Sequence, residues 1–294
     1  MSNLKIGAYM PSAGDLPALH GIHKLATQLE DAGFSSLWVS DHVIMPESIK
    51  AAYPFAKDKK ATWATNVPWY DAMTILAMTA TVTKNVELGT AVLVLPLRQP
   101  IVFAKQAATI DSLSGGRLTL GVGAGWLEDE FDALNVPFKT RGKRLEEWIE
   151  LSRNIWTGQP TPYKGNHFDL PSGVLSYPSP AHDIDFLIGG HSRPALKRAG
   201  TLGNGWLPHQ SGHSMDPKAL EEPIKKMNEA AINIGDNPND LRVVLRINQS
   251  ANCLTQVANN LDAFEAVGVN DVVVDVDWTS DDGPQQAADI LIHK

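Results

Sequence analysis

Apolar positions along the chain alternate between two spacings. Short apolar runs, typical of strands buried on both faces, are followed by stretches in which apolar residues recur every three or four positions, as on one face of a helix. The clearest unit is a run from Val86 to Leu95, then helical spacing from Ile101 to Leu113, then a second strand at Leu118–Val122. This order predicts two parallel strands joined by a right-handed crossover.

The same order recurs along the whole chain. Strands are predicted at 4–10, 36–40, 86–95, 118–122, 184–188, 205–207, 241–247 and 271–276. Helices are predicted at 16–32, 70–83, 101–113, 143–156, 194–202, 216–234, 255–267 and 285–292. About eight strands, each followed by a helix, favour an α/β fold of the (β/α)8 TIM-barrel type, with an open doubly wound sheet as the alternative. We expect one domain over residues 1–294.

Three stretches interrupt the alternation. The segments at about 45–69 and 159–183 are rich in proline and aromatic residues, and the first follows the carboxyl end of a predicted strand. Long connections at that end of a barrel are often functional, so we expect insertions at the C-terminal face, the first forming a lid or substrate wall. The stretch at 127–142 is predicted to be a polar loop.

Charge and composition indicate which classes of binding partner are disfavoured. A formal net charge of -8 argues against general affinity for nucleic acid or an anionic membrane surface. The chain has no run of about 18 apolar residues, and its first residues lack the pattern of a signal peptide. We therefore expect a cytoplasmic protein that acts on a small molecule. Cys253 is the single cysteine, which excludes an internal disulfide and is typical of a core residue.

The two ends of the predicted strands carry different residues. Gly115, Gly116 and Arg117 precede the strand at 118–122, at the end where parallel barrels keep stability. The segments Gly89–Val92 and Gly123–Trp126 lie at the opposite end, where such folds bind ligands. We therefore expect Thr90, Ala91, Val92, Gly123 and Trp126 near a site.

Asp41 and His42 follow the second predicted strand. A histidine at the mouth of the barrel is suited to proton transfer because its ordinary pKa is near neutral. The alternative is a histidine that caps the strand and bonds to a loop.

The glycines at 121, 123 and 125 resemble a dinucleotide fingerprint only in part. The third glycine of that motif would fall at position 126, which is Trp126, and no acidic residue ends a following strand at the required distance. We therefore disfavour a Rossmann-type site and interpret these glycines as positions where the backbone approaches a ligand or the barrel mouth.

The segment 189–193 predicts an anion site. It comprises Gly189, Gly190, His191, Ser192 and Arg193, at the end of a strand and the start of a helix. Backbone N–H groups and the helix dipole at such a junction bind phosphate, and barrels often hold phosphate in a late loop. The alternative is an ordinary glycine turn with Ser192 as the helix N-cap.

A catalytic metal centre is not predicted. The first strand holds no histidine, His20 and His23 fall on the predicted first helix, and His209 and His213 fall in a predicted loop.

These features together resemble the bacterial luciferase-like monooxygenase and coenzyme F420-dependent oxidoreductase family. The matching segments are SSLWVSDH at 35–42, VELGTAVLVLPLRQP at 86–100, AKQAATIDSLSGGRLTLGVGAGW at 104–126, RGKRLEEW at 141–148 and FLIGGHSRPALKRAGTLGNGWLP at 186–208. The resemblance implies a barrel that binds a flavin or deazaflavin at its C-terminal mouth, and a homodimer.

The resemblance also implies roles for single residues. Asp41 and His42 match residues that contact the ring and aid proton transfer, with His42 handling the proton and Asp41 orienting it. The Ala91–Val92 bond matches a position where the family often has a cis peptide. Gly189–Arg193 and Gly205 match the segment that receives the cofactor phosphate.

The resemblance leaves three functions open. We favour hydride transfer between coenzyme F420 and an organic substrate. The alternatives are an FMN-dependent monooxygenase that uses O2 and a catalytically silent flavin-binding protein. Trp126 stands where sugar-phosphate dehydrogenase relatives have an acidic residue, so we expect an apolar or aromatic substrate that lies against Trp126, Trp63 and Trp69.

Overall fold

The computed structural model describes residues 3–53, 59–61 and 63–293. Part of the predicted insertion at 45–69, namely residues 54–58 and 62, lies outside the described residues. The strands are β1 (Lys5–Tyr9), β2 (Ser36–Val39), β3 (Glu87–Val94), β4 (Leu118–Gly123), β5 (Tyr163–Lys164), β6 (Asp169–Leu170), β7 (Asp185–Gly189), β8 (Gly205–Leu207), β9 (His209–Ser211), β10 (Arg242–Asn248) and β11 (Asp271–Val274). The helices are α1 (Leu16–Asp31), α2 (Ala72–Val82), α3 (Pro100–Ser114), α4 (Glu128–Ala133), α5 (Arg141–Trp156), α6 (Arg193–Thr201), α7 (Glu221–Ile232), α8 (Leu254–Ala266) and α9 (Gly283–Leu291).

The parallel strands close into a barrel. Neighbours run in the order β11, β1, β2, β3, β4, β7, β8, β10, and the pairing of β10 with β11 completes the ring. The short β9 follows β8 and also pairs with β10 in parallel. The (β/α)8 barrel predicted from the sequence is therefore confirmed, and the open doubly wound sheet is wrong.

Side chains alternate between the two faces of each strand. Outward residues of the strands pack under the helices in one large apolar cluster, and inward residues form a second, small one. The inward cluster is Trp38, Leu187, Leu207, Val244 and Val273, with Ala91 and Val92 packed against it.

Glycines in β1 and β3 make room for the Trp38 ring inside the barrel. A Cβ added to Gly89 would lie 2.3 Å from Trp38 Cε3, and one added to Gly7 would lie 3.1 Å from Trp38 Nε1. The Trp38 indole N–H donates to Ser36 Oγ at 2.8 Å, so its one polar group is bonded. The barrel interior is thus a packed core, and a ligand can only bind above it.

The amino end of the barrel is held by ionic contacts. The Arg242 guanidinium makes two hydrogen bonds to Glu87, at 2.7 and 2.8 Å, and two to Asp271, at 2.8 and 2.7 Å. Arg117 donates to the carbonyls of Ala80 and Thr83 at the end of α2. These contacts agree with the prediction that this end serves stability.

Helix α3 ends at the two glycines that the sequence indicated as its stop. Gly115 and Gly116 have φ angles of 77° and 83°, the left-handed conformation in which glycine is favoured, directly after α3.

Three predicted segments differ from the structure. The stretch 127–142, predicted to be a polar loop, holds helix α4 and the start of α5. The irregular 159–183 stretch contains the antiparallel pair β5–β6. The predicted helix at 216–234 is a 3-10 turn at Pro217–Leu220 followed by α7, with Pro223 in its first turn, where a missing N–H costs no hydrogen bond.

In the part of the chain that the structure describes, no helix is long and apolar enough to cross a membrane. That residues 1–294 form one domain stays a prediction.

Candidate active site

Two glycines at the mouth of the barrel make room for Val92. The Ala91–Val92 peptide bond is cis, as the family resemblance implied. A Cβ placed on Gly123 would lie 2.9 Å from Val92 Cγ2, and one placed on Gly189 would lie 2.7 Å from Val92 Cγ1. The carboxyl ends of β3, β4 and β7 therefore form a surface of backbone and one small apolar side chain, on which a flat ring can lie.

The Thr90 side chain lies in the core below the mouth of the barrel. It is fully buried, and its hydroxyl donates to the Gly121 carbonyl at 2.8 Å. This bond ties β3 to β4 just before the cis peptide. Thr90 therefore supports the position of Ala91 and Val92, and its side chain does not line the mouth.

The mouth also carries polar groups at or just after the carboxyl ends of β1, β2, β10 and β11. The Tyr9 hydroxyl is 2.8 Å from Ser40 Oγ. The Arg246 guanidinium lies 4.7 Å from the centre of the Tyr9 ring and forms an ion pair with Asp275. This side of the mouth is therefore ordered by a bonded network.

Asp41 is fully engaged in an ionic contact away from His42. Its Oδ1 accepts from Arg98 at 2.7 Å and its Oδ2 accepts from the Val94 amide at 3.0 Å. Burial raises the pKa of Asp41, while the Arg98 charge and the Val94 amide act in the opposite direction. The expectation that Asp41 orients His42 is not supported, because no hydrogen bond joins them. Asp41 instead fixes β3 and the Arg98 segment against the end of β2.

Glu130 holds His42. His42 Nδ1 lies 2.9 Å from Glu130 Oε2, and Glu130 Oε1 accepts from the amides of Val43 at 2.9 Å and Ile44 at 3.4 Å. The Glu130 side chain is 2% exposed and that of His42 is 10% exposed. One buried carboxylate therefore fixes both the imidazole and the backbone that follows it.

The sequence interpretation missed Glu130 because 127–142 was taken for a polar loop. The spacing of Leu127, Glu130, Phe131 and Leu134 is that of one helix face. Leu127, Glu130 and Phe131 are buried, and Leu134 packs on an apolar cluster. A glutamate on the apolar face of a short helix is the signal that could have identified it, since buried carboxylates need partners.

Three tryptophan side chains surround His42, and Tyr53 packs against two of them. The His42 ring centre lies 4.7 Å from that of Trp69, 6.4 Å from that of Trp63 and 6.3 Å from that of Trp126. Tyr53 packs against Trp63 and Trp126, with ring centres at 4.8 and 5.0 Å. The three predicted substrate-wall tryptophans thus come together around the predicted catalytic histidine. We call Tyr53, Trp63, Trp69 and Trp126 the aromatic cluster.

The β7–α6 junction is a turn with a capped helix. Gly190 has a φ of 102°, and Ser192 is the N-cap of α6, accepting from the Ala195 amide at 3.3 Å. The Ser192 hydroxyl is thus used in the cap, as the alternative interpretation held. The Arg193 side chain is exposed at the start of the helix. A positive helix end and a cation at one point fit an anionic group.

His191 adds an imidazole to the same junction. Its Nε2 lies 3.1 Å from His209 Nδ1. Partial desolvation lowers the pKa of His191, and the contact with the His209 backbone acts in the opposite direction. Gly205 lies apart from this group, at the amino end of β8, where an added Cβ would lie 1.9 Å from the Arg242 carbonyl oxygen. Its position gives no support to a phosphate contact.

Among the described residues, no group of three or more His, Cys, Asp or Glu side chains has the arrangement of a metal site. His20 and His23 lie on α1, while His209 lies in β9 instead of in the predicted loop.

Comparisons with known proteins identify the family to which the chain belongs. The family model described as luciferase-like monooxygenase matches residues 4–261. An uncharacterised protein of Mycobacterium tuberculosis is 33% identical over 207 residues, covering 70% of this chain and 71% of that protein. The F420-dependent glucose-6-phosphate dehydrogenase of Amycolatopsis mediterranei is 32% identical over 212 residues, covering 70% of this chain but 58% of that enzyme.

The fold has a solved counterpart in an F420-dependent secondary alcohol dehydrogenase in complex with an F420–acetone adduct. The two structures superpose with a TM-score of 0.76, cover 99% and 98% of the respective chains and share 18% sequence identity. The match of the family model over most of the barrel, together with the curated relatives, identifies this chain as a member of the luciferase-like monooxygenase family.

Proposed function

We propose that the protein is an oxidoreductase that transfers a hydride between coenzyme F420 and a small apolar or aromatic substrate. The observation that carries this proposal is the His42–Glu130 pair, set at the mouth of the barrel inside the aromatic cluster. Relatives and a structural counterpart that use F420 support the choice of coenzyme.

We assign proton transfer to His42. Because Nδ1 is engaged by the Glu130 carboxylate, Nε2 is the nitrogen left to exchange a proton with a substrate. The low exposure of the pair keeps water away and strengthens its electrostatic contact with the substrate.

The residues present fit a deazaflavin. Val92, Gly123 and Gly189 offer a flat surface for the ring, and Arg193 with the start of α6 offers a place for phosphate. When bound in its reduced form, the coenzyme supplies a hydride, and its oxidised form accepts one in the reverse direction. The protein's own residues position the reactants and move the proton.

The substrate wall argues against a sugar phosphate. Apart from Glu130, the side chains shown packing on His42 are aromatic, and Trp126 is one of them. Flat apolar walls favour substrates with aromatic or aliphatic surface. We therefore assign an apolar or aromatic substrate, although a curated relative is a glucose-6-phosphate dehydrogenase.

The second candidate is an FMN-dependent monooxygenase. The description of the matching family model favours it, and the same flat surface suits an isoalloxazine ring. A catalytically silent flavin-binding protein is the third possibility, and the buried His42–Glu130 pair speaks against it.

Anaerobic turnover tests the proposal. Purified protein is mixed with reduced F420 and a panel of ketones, aldehydes and enones without oxygen, and coenzyme oxidation is followed by absorbance. We expect oxidation coupled to product formation, and its loss in His42→Ala with coenzyme binding retained. Turnover that requires FMN and O2 would contradict the proposal. A His42→Ala variant with the wild-type rate would remove His42 from proton transfer.

We further infer a homodimer in the cytoplasm that does not bind nucleic acid. The net charge of -8 supports the last point. Sedimentation measurements test the oligomeric state.

A further inference from the structure

Trp69 packs on His42 without a hydrogen bond of its own side chain. The two ring centres lie 4.7 Å apart at an interplanar angle of 80°. Trp69 Nε1 is buried and has no hydrogen-bond partner in the part of the chain that the structure describes. Glu130 fixes the imidazole, but no hydrogen bond fixes the indole that packs on it. The position of the Trp69 ring therefore depends on how its backbone is held.

The backbone on both sides of Trp69 is bonded to the segment that follows β1. The Gly14 amide donates to the Pro68 carbonyl at 2.9 Å, and the Tyr70 amide donates to the Ser12 carbonyl at 3.0 Å. These bonds form a short antiparallel pairing at Trp69. The Trp69 backbone is therefore anchored to the segment that Ser12 begins.

Ser12 also holds the segment that carries His42. Ser12 is fully buried, and its Oγ accepts from the Ser40 amide at 3.2 Å and donates to the Ser40 carbonyl at 3.3 Å. The Tyr9 hydroxyl lies 3.0 Å from the same Oγ. Ser40 precedes His42 by two residues. Ser12 thus bonds to the chain after Trp69 through its carbonyl and to the chain before His42 through its hydroxyl.

Arg98 joins the same two segments a second time. Its guanidinium bonds to Asp41, which directly precedes His42, at 2.7 Å. It also bonds at 2.9 Å to Asp71, which follows Trp69 by two residues. The Asp41 side chain is fully buried and that of Arg98 is 12% exposed. Because the N–H donors of a guanidinium have a fixed geometry, Arg98 sets the separation of the two carboxylates.

We propose that Arg98 and Ser12 are positioning residues for proton transfer, which hold the Trp69 indole at a fixed distance and angle from His42. Arg98 acts through the two aspartates, and Ser12 acts through the two backbone segments. This inference rests on the proposed function, because it assigns the proton to His42. A displacement of about 1 Å in the geometry around a reacting group can lower a rate by roughly a hundredfold, so a wall held at two points favours turnover.

The Asp71→Asn substitution removes the Arg98 contact with little other change. Asp71 is the N-cap of α2 and accepts from the Thr74 amide at 2.8 Å, and asparagine is about as good an N-cap as aspartate. The Asp71 side chain is 42% exposed, so the variant should fold. Asp281→Asn is the matched control, because it also removes one carboxylate from an ion pair, the exposed pair with Lys24.

The measurement is the NMR shift of the His42 imidazole C–H protons, which the current of a neighbouring indole ring displaces. Histidine-labelled protein without coenzyme is used, and the His42 signals are identified by their loss in His42→Gln. Trp69→Leu gives the shift without the indole. We expect the signals in Asp71→Asn and in Ser12→Ala to move toward that value. Those in Asp281→Asn should stay at the wild-type value.

Steady-state turnover connects this shift to the chemistry. Asp71→Asn should lower kcat about twofold to fivefold, because a partly exposed ion pair contributes little. Arg98→Lys should lower it roughly tenfold or more, because one ammonium cannot bond both carboxylates as the guanidinium does. The KM for F420 should stay near the wild-type value in both, and circular dichroism checks that each variant is folded.

Wild-type His42 signals in either Asp71→Asn or Ser12→Ala would overturn the inference. A folded Arg98→Lys variant with wild-type kcat would also overturn it. The two readouts keep this inference apart from the proposed function. Signals that move as expected in a protein without F420-dependent turnover would remove the coenzyme chemistry and keep the positioning of Trp69. Turnover with F420 and unchanged His42 signals would do the reverse.

Discussion

The Glu130→Gln substitution examines the pair that the proposed chemistry depends on. The amide can still accept from the Val43 and Ile44 backbones but loses the negative charge opposite His42 Nδ1, 2.9 Å away. A buried hydrogen bond to a charged group contributes roughly 1.5–3 kcal/mol, and about 1.4 kcal/mol is tenfold in rate. If the bond is needed in the transition state, kcat should therefore fall roughly tenfold to a hundredfold.

The assay is steady-state turnover with F420, with coenzyme affinity and thermal midpoint measured alongside. We expect a loss in kcat, little change in coenzyme affinity, and a double variant with His42→Ala no slower than His42→Ala alone, since residues that act as a unit are not additive. Glu128→Gln is the matched control, because Glu128 lies exposed on the same helix.

Two outcomes would refute this reasoning. The first is a Glu130→Gln variant with wild-type kcat while His42→Ala is inactive. The second is a double variant that is slower than His42→Ala by the full effect of Glu130→Gln, which would mean that Glu130 acts independently of His42.

Two further substitutions test the mouth and the base of the barrel. Gly189→Ala places a methyl group 2.7 Å from Val92 Cγ1, so it should weaken F420 binding at least several-fold. Adding Val92→Ala should restore the affinity. A Gly189→Ala variant that binds F420 as tightly as the wild type in a fluorescence titration would contradict the assigned ring surface. Burial raises the pKa of Glu87, but the hydrogen bonds and charge of Arg242 outweigh it and hold that pKa below its usual range. The stability that Glu87 contributes is therefore present above about pH 4.5 and is lost as the pH falls through the lowered pKa of the folded state. Urea unfolding should show a smaller decrease in the free energy of unfolding between pH 7 and pH 3 in Glu87→Gln than in the wild type. An equal decrease in both proteins would contradict this expectation.

The strand and helix pattern predicted the barrel because each element carries its own periodicity. The apolar run at β3 and the left-handed glycines at 115 and 116 are local signals, and both agree with the structure. The position of the catalytic candidate was also predictable, since residues that follow a parallel strand meet at one end of a barrel. His42 and the three tryptophans of the wall come together for this reason.

The partners of these residues were not predictable in the same way. Glu130 reaches His42 across 88 positions of sequence, from a segment whose charges conceal a short helix. Asp41 is adjacent to His42 in sequence but bonds to Arg98 and Val94. Adjacent residues on an extended segment point to opposite sides, so sequence neighbours need not share partners.

Gly205 shows a related limit. It lies within the 186–208 segment that resembles the family, yet it begins β8 and packs on the Arg242 backbone. β8 is three residues long, so its first residue, Gly205, lies at the amino end of the barrel while its last residue, Leu207, lies toward the mouth.

An equilibrium titration of the purified protein with F420 and, under the same conditions, with FMN tests whether this barrel mouth holds a deazaflavin for hydride transfer. We expect saturable binding of F420 that is clearly tighter than that of FMN and that weakens in Gly189→Ala. Tight binding of FMN with no binding of F420 would contradict it.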